Sequence, residues 1–191
     1  MYTRYVRYLA RRVSVITFLL FLITGCTTMD LSDFADRQPV LEPERFFAGE
    51  LQGWGLEAGP LGGIGRRLQI TATGRFDEAT QTLNLTETYR FDDGHVDRLE
   101  WRIRKLDDGR YEAHEARLVE PGAGEAAGSA FHLTYRRAVP QTDGSTTTLS
   151  FDDWFILIDD ETLMVRASIH KLMVPFGSLT VVYRRVGDRS G

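Results

Sequence analysis

The chain has 191 residues, 42% of them hydrophobic, with 23 Lys and Arg against 27 Asp and Glu and a formal net charge of −4 at pH 7. Four of the cations (Arg4, Arg7, Arg11 and Arg12) precede residue 26, so the chain from Cys26 onward holds 19 basic against 27 acidic residues. That acidic balance argues against nucleic acid and against adsorption to anionic lipid by charge. The length suits one domain with a full core, and a single cysteine, Cys26, excludes an intrachain disulfide.

The four arginines lead into Val13 to Ile23, a run that is apolar apart from Ser14 and Thr17. As a helix it would rise about 16 Å, roughly half of the ~30 Å hydrocarbon core, which is a secretory signal and not a span. Ile23-Thr24-Gly25-Cys26 resembles the lipobox of bacterial lipoproteins, in which a small residue marks the cut and the thiol accepts diacylglycerol. The competing reading is a buried free cysteine after an ordinary signal peptide. The resemblance implies a signal peptide over 1–25, lipidation at Cys26 and a membrane partner held through an N-terminal diacylglycerol-cysteine. Thr27, where Asp would mark inner-membrane retention, implies the periplasmic face of the outer membrane. Residues 26–40 are polar with Pro39 near their end and read as a lipidated tether, with the folded domain expected over 41–188.

Pro43 to Phe47 predicts a short helical turn, Pro at its start and Glu44 in its first turn. Strand patterning then takes over in nine runs, near 47–57, 65–76, 82–91, 95–105, 110–118, 129–138, 146–158, 163–170 and 178–186. Gly, Asp and Pro clusters separate them, and no helix-period segment is long enough for a parallel crossover. The expectation is an all-β antiparallel barrel or sandwich. Residues 119–128 (Val-Glu-Pro-Gly-Ala-Gly-Glu-Ala-Ala-Gly) read as a surface loop, or as a lid over a barrel mouth.

Side-chain alternation chooses hairpin registers, because a one-residue slip turns a whole face over. A three-residue turn at Asp92-Asp93-Gly94, with Gly94 left-handed, sets Leu83, Leu85, Tyr89 and Phe91 beside Leu99, Trp101 and Ile103. Glu87 then falls on that apolar face. Asp107-Asp108-Gly109 is expected to make a two-residue Asp-Gly turn that continues the face through His114, Ala116 and Leu118. Around Asp159 to Thr162 the expected pairing sets Trp154, Ile156 and Ile158 with Leu163, Val165, Ala167 and Ile169, and places Asp153 beside Arg166.

The stretches LEPERFFAGELQGWG (41–55), FDDWFILIDD (151–160) and RASIHKLMVPFGSLTVVYRR (166–185), with Gly65-Arg66-Arg67 and Asp92-Asp93-Gly94, give the chain a family look. It resembles domain-of-unknown-function family 3833, bacterial lipoproteins, from about Leu41 to Arg185. Phe176-Gly177 departs from it, since the family tends to place Gly sooner after Lys171. The resemblance implies an antiparallel lipocalin-like barrel of about eight or nine strands. It implies no reaction.

Glu87 is the sharpest candidate for a site, because a carboxylate on an apolar face must be paired or have its pKa raised. It could hold a ligand, act as acid or base, or pair structurally with Arg66 or Arg67. Asp152-Asp153-Trp154 within a strand offers a second polar contact, either with a ligand or as an Asp153–Arg166 pair that fixes register. A cavity lined by Trp54, Tyr89, Trp101 and Trp154, with Glu87, Asp153 and Arg166 orienting a polar head, would bind a fatty acid or other lipid. A ligand-free envelope accessory and a cofactor-free lipid-modifying enzyme using Glu87 or His114 are the alternatives. His95, His114, His132 and His170 have no metal-ligand spacing, and no nucleotide fingerprint or nucleophile elbow is present. No cofactor, metal or catalytic residue is therefore assigned.

Overall fold

Strands whose alternate residues are apolar can hide one face only by packing on another layer or by closing on themselves, and this chain closes on itself. The computed structural model describes residues 29–141 and 144–187; the expected signal peptide and Cys26 lie outside them. A short helix, α1 (Pro43–Phe46), leads into ten strands in chain order. These are β1 (Gly49–Ala58), β2 (Ile64–Asp77), β3 (Thr82–Phe91), β4 (Val96–Lys105), β5 (Arg110–His114), β6 (Gly122–Ala127), β7 (Ala130–Pro140), β8 (Thr146–Leu157), β9 (Thr162–Lys171) and β10 (Val174–Arg185). Each pairs antiparallel with the next, and β1 also pairs with β10, so the sheet is a closed barrel. Closure removes the unpaired edge that would otherwise recruit other chains.

The strand additional to the nine expected is β6. Its sequence, GAGEAA, is rich in a residue that disfavours strands, and the segment expected as a loop or lid is in part barrel wall. Gly124 faces Phe131 so closely that a Cβ there would lie 2.7 Å from the ring. The small residues are thus what the large rings of the facing strand require.

One end of the barrel is stoppered. Leu41, Phe46 and Phe47 are buried, and the Phe47 ring meets Phe155 and Tyr183 at centroid distances of 6.0 and 5.9 Å. Glu44 of α1 is held by Lys105 and Tyr111, and Arg185 donates to the carbonyls of Arg45 and Phe46 at 2.7 and 2.8 Å. The last bonds satisfy acceptors that a helix end leaves open. The described part of the expected tether also packs: Phe34 lies 5.9 Å from Trp154, and Leu41 donates to the carbonyl of Gly128.

The three expected hairpin registers fared differently. Leu85 pairs with Trp101, Glu87 with Leu99, and Gly94 has φ +87°, as the three-residue turn requires. The next turn also has three residues, since Leu106 bonds Arg110 and Ile103 pairs with Ala113. Asp108 and Gly109 both take positive φ there. Tyr111 and Ala113 therefore face inward, and His114 sits outside, 2.9 Å from Glu112. In the β8–β9 hairpin Asp153 pairs with Ala167, and Trp154 with Arg166. That is one residue from the expected register, which turns over the whole face.

Candidate functional site

The inner rows of the strands enclose a cavity of about 750 Å³ that opens at the end opposite α1. Its floor is aromatic: Phe47, Phe131 and Phe155 pack on one another, with Leu85, Val165 and Val181 around them. Above them lies a polar belt. Tyr183 donates to Oε1 of Glu87 at 2.5 Å, while Tyr89 and the indole of Trp101 donate to Oε2 at 3.0 and 3.2 Å. Tyr135 donates to Oδ2 of Asp153 at 2.9 Å. Oδ1 of Asp153 is buried and has no hydrogen-bond partner among the described residues.

Glycine makes this belt possible in β1, where Gly53 and Gly55 face inward on either side of Trp54. A Cβ on Gly53 would come within 3.1 Å of the Tyr183 ring and 3.2 Å of Ile70. A side chain there would push the Tyr183 ring aside by a few tenths of an ångström.

Burial governs the electrostatics. It raises the pKa of Glu87, and the bonds from Tyr183, Tyr89 and Trp101 offset part of the rise. Asp153 is pushed up to about 7 by burial, against the bond from Tyr135, with the charges of Asp152 and Glu87 adding to the rise. Tyr89, Tyr135 and Tyr183 are raised well above the ordinary phenol range by burial and the nearby carboxylates, so they remain donors.

Nearer the mouth the charges neutralise one another. Arg137 binds Asp97 at 3.1 Å and Glu115 at 3.2 Å, and Arg117 also reaches both acids. This group seals the wall above the short strands β5 and β6. Arg66 bridges Glu57 and Asp93 with its guanidinium 3.9 Å from the Phe91 ring centre, and Arg67 binds Asp92. The expected pairing of Glu87 with Arg66 or Arg67 is not made; both arginines clamp the β3–β4 turn. At the same end the β1–β2 and β9–β10 turns expose Leu61, Leu172 and Met173 almost completely.

Of the site residues expected from sequence, Glu87, Tyr89, Trp101 and Asp153 meet in the cavity. Three lie outside it. Trp54 is on the outer wall because β1 turns Leu51, Gly53 and Gly55 inward, and it borders an external groove with Leu56 and Val182. Trp154 stacks on His132 at 4.3 Å beneath Phe34 on the outer face of β8. Arg166, its partner across the pair, is exposed. Sequence reasoning missed Tyr135 and Tyr183, although each closes an alternating inward row: Phe131-Leu133-Tyr135 and Leu179-Val181-Tyr183. Among the described residues no group of three or more His, Cys, Asp and Glu could hold a metal ion.

The sequence model of DUF3833, described as a protein of unknown function, matches residues 20–185, and the chain belongs to that family. A comparison with curated proteins found no match. Among solved structures the fold is similar to an S-type phycobiliprotein lyase from Guillardia theta. Identity there is 8% and the TM-score 0.55, over 86% of this chain and all of that one. It is also similar to a protein of the DUF3598 family from Nostoc punctiforme, at 13% identity and TM-score 0.53. That match takes in 78% of this chain and 51% of the other, so the chain spans about half of that protein's length. Both show the fold, an antiparallel lipocalin-like barrel.

Proposed function

We propose that this member of the DUF3833 family is an envelope lipoprotein that carries one hydrophobic or amphipathic small molecule, a lipid or lipid-like compound, inside its barrel. One observation carries the reading: the core side chains leave a cavity of about 750 Å³, within the roughly 300–1,000 Å³ usual for small-molecule sites. Its floor is apolar, with a polar belt above it and paired charges toward the mouth, which suits a molecule with a tail and a head. The lipobox-like Ile23-Thr24-Gly25-Cys26 supports anchoring through a diacylglyceryl cysteine, and Thr27 supports the periplasmic face of the outer membrane. The phycobiliprotein lyase, a barrel of similar shape, supports small-molecule handling by analogy of fold alone.

The exposed apolar tips Leu61, Leu172 and Met173 favour a second reading, an accessory that docks on another envelope component and carries nothing. Catalysis has less support. Both oxygens of Glu87 are occupied by donors, and His114 is on the outer wall.

Native mass spectrometry of the chain purified from its own membrane, followed by organic extraction, tests the carrier reading. A lipid at one molecule per chain is expected. A bare chain that also fails to take up the apolar dye N-phenyl-1-naphthylamine would leave the docking accessory as the better account.

A further inference from the structure

Resting on the carrier reading, we infer that the bound molecule is a cationic amphiphile, whose protonated amine docks on Oδ1 of Asp153. The interior is asymmetric in charge. Glu87 and Asp153, 5% and 7% exposed, are its two buried carboxylates. The one buried cation among the described residues, Arg137, is committed to Asp97 and Glu115. The other titratable groups near Asp153 are Glu87 and the hydroxyls of Tyr135 from β7, which bonds it, and Tyr89 from β3. Asp152 on its own strand points outward to His132, and Ala167 opposite it on β9 is apolar.

Within the belt, donors and acceptors nearly balance. Glu87 accepts three bonds, and Oδ2 of Asp153 accepts one from Tyr135. With Asp153 ionised, the remaining position is an acceptor, its Oδ1, buried against the cavity with no partner among the described residues. A buried acceptor left open is costly, so the group that completes the site is a donor. A fatty carboxylate or phosphate would instead bring further negative charge beside these two carboxyl groups in a medium of low dielectric. An ammonium supplies the donor and also the missing countercharge, and a charge-assisted bond of this kind is the strongest the belt can make. The apolar floor, with Leu85, Val165 and Val181 around it, accommodates the alkyl chain.

Displacement of N-phenyl-1-naphthylamine from the full chain tests this, with dodecylamine, dodecanol and dodecanoate compared at pH 6 and pH 8, each below micelle formation. Dodecylamine should displace the dye at about tenfold lower concentration than either other compound at pH 8. Its advantage should narrow at pH 6 as Asp153 takes up a proton, and should also narrow in Asp153→Asn at pH 8. Dodecanoate matching or exceeding the amine would overturn the inference and leave the carrier reading standing. So would dodecanol equalling the amine at pH 8, since that points to a neutral donor. No saturable dye uptake by the wild-type chain would overturn both.

Discussion

Tyr183 and Glu87, 96 residues apart, share a 2.5 Å hydrogen bond across the barrel interior that ties β10 to β3. The two strands are not neighbours, since β1 and β2 lie between them in the wall. The bond therefore adds a cross-link to the ladder that closes the sheet. It also stabilises the ionised form of Glu87 against the burial that disfavours it.

Tyr183→Phe removes that donor and leaves the ring packing in place. We expect a loss of about 1–3 kcal/mol, larger at pH 8 than at pH 5 because the carboxylate then ionises with less support. Urea denaturation at the two pH values measures it. A loss that is smaller at pH 8 than at pH 5 would show that the bond does not favour the charged form.

Asp153 gives the opposite sign to the usual carboxylate. Its pKa is raised to about 7 in the folded chain, so the folded state holds its proton more tightly than the unfolded state does. Its contribution is favourable at low pH and is lost as pH rises from the ordinary Asp range toward 7, then levels off. Asp153→Asn, which cannot ionise, should be more stable than wild type by about 2–4 kcal/mol at pH 8. The advantage should shrink steadily toward pH 5. Parallel stability curves for the two proteins would contradict the raised value.

The β9–β10 turn has two central residues, Leu172 and Met173, between the paired Lys171 and Val174. Both have positive φ, 49° and 69°, where Asn and Gly are at ease and branched or long side chains are not. Both side chains are exposed, so replacing them loses little packing. Leu172→Asn with Met173→Gly should raise stability by about 1 kcal/mol in thermal or urea unfolding. A decrease would mean that these side chains make contacts that matter to the fold.

How much of the fold and site was legible depended on how different the two faces of each strand are. The β3–β4 register follows from sequence because Leu83, Leu85, Leu99, Trp101 and Ile103 alternate with Asn, Arg and Glu. The β8–β9 register does not, because both faces are apolar. Phe151 and Phe155 point inward, while Trp154 and Ile156 point outward beneath a distant segment at Phe34 and a histidine from β7. Asp153 was legible as an anomaly within a strand, but its partner was not: the slip set Ala167 opposite it in place of a neighbouring Arg166, and its bond comes from Tyr135 on β7. β6 escaped notice because glycine carries no hydrophobic signal, and its glycines are required by the close approach of the Phe131 ring and of the Cβ atoms of Tyr111 and Tyr135. Phe176 is the extra residue of a bulge between Pro175 and Gly177.

Blocking the barrel interior shows whether it is the binding cavity on which the carrier reading depends. Ala167 lies on the inner wall of β9 opposite Asp153, and it is 3% exposed. Titration with N-phenyl-1-naphthylamine should show saturable uptake of about one dye per wild-type chain. That uptake should be abolished in Ala167→Trp and weakened in Ala167→Leu, with far-UV circular dichroism unchanged in both. If the folded Ala167→Trp chain takes up dye as tightly as wild type, the molecule binds elsewhere and the barrel is not the carrier site.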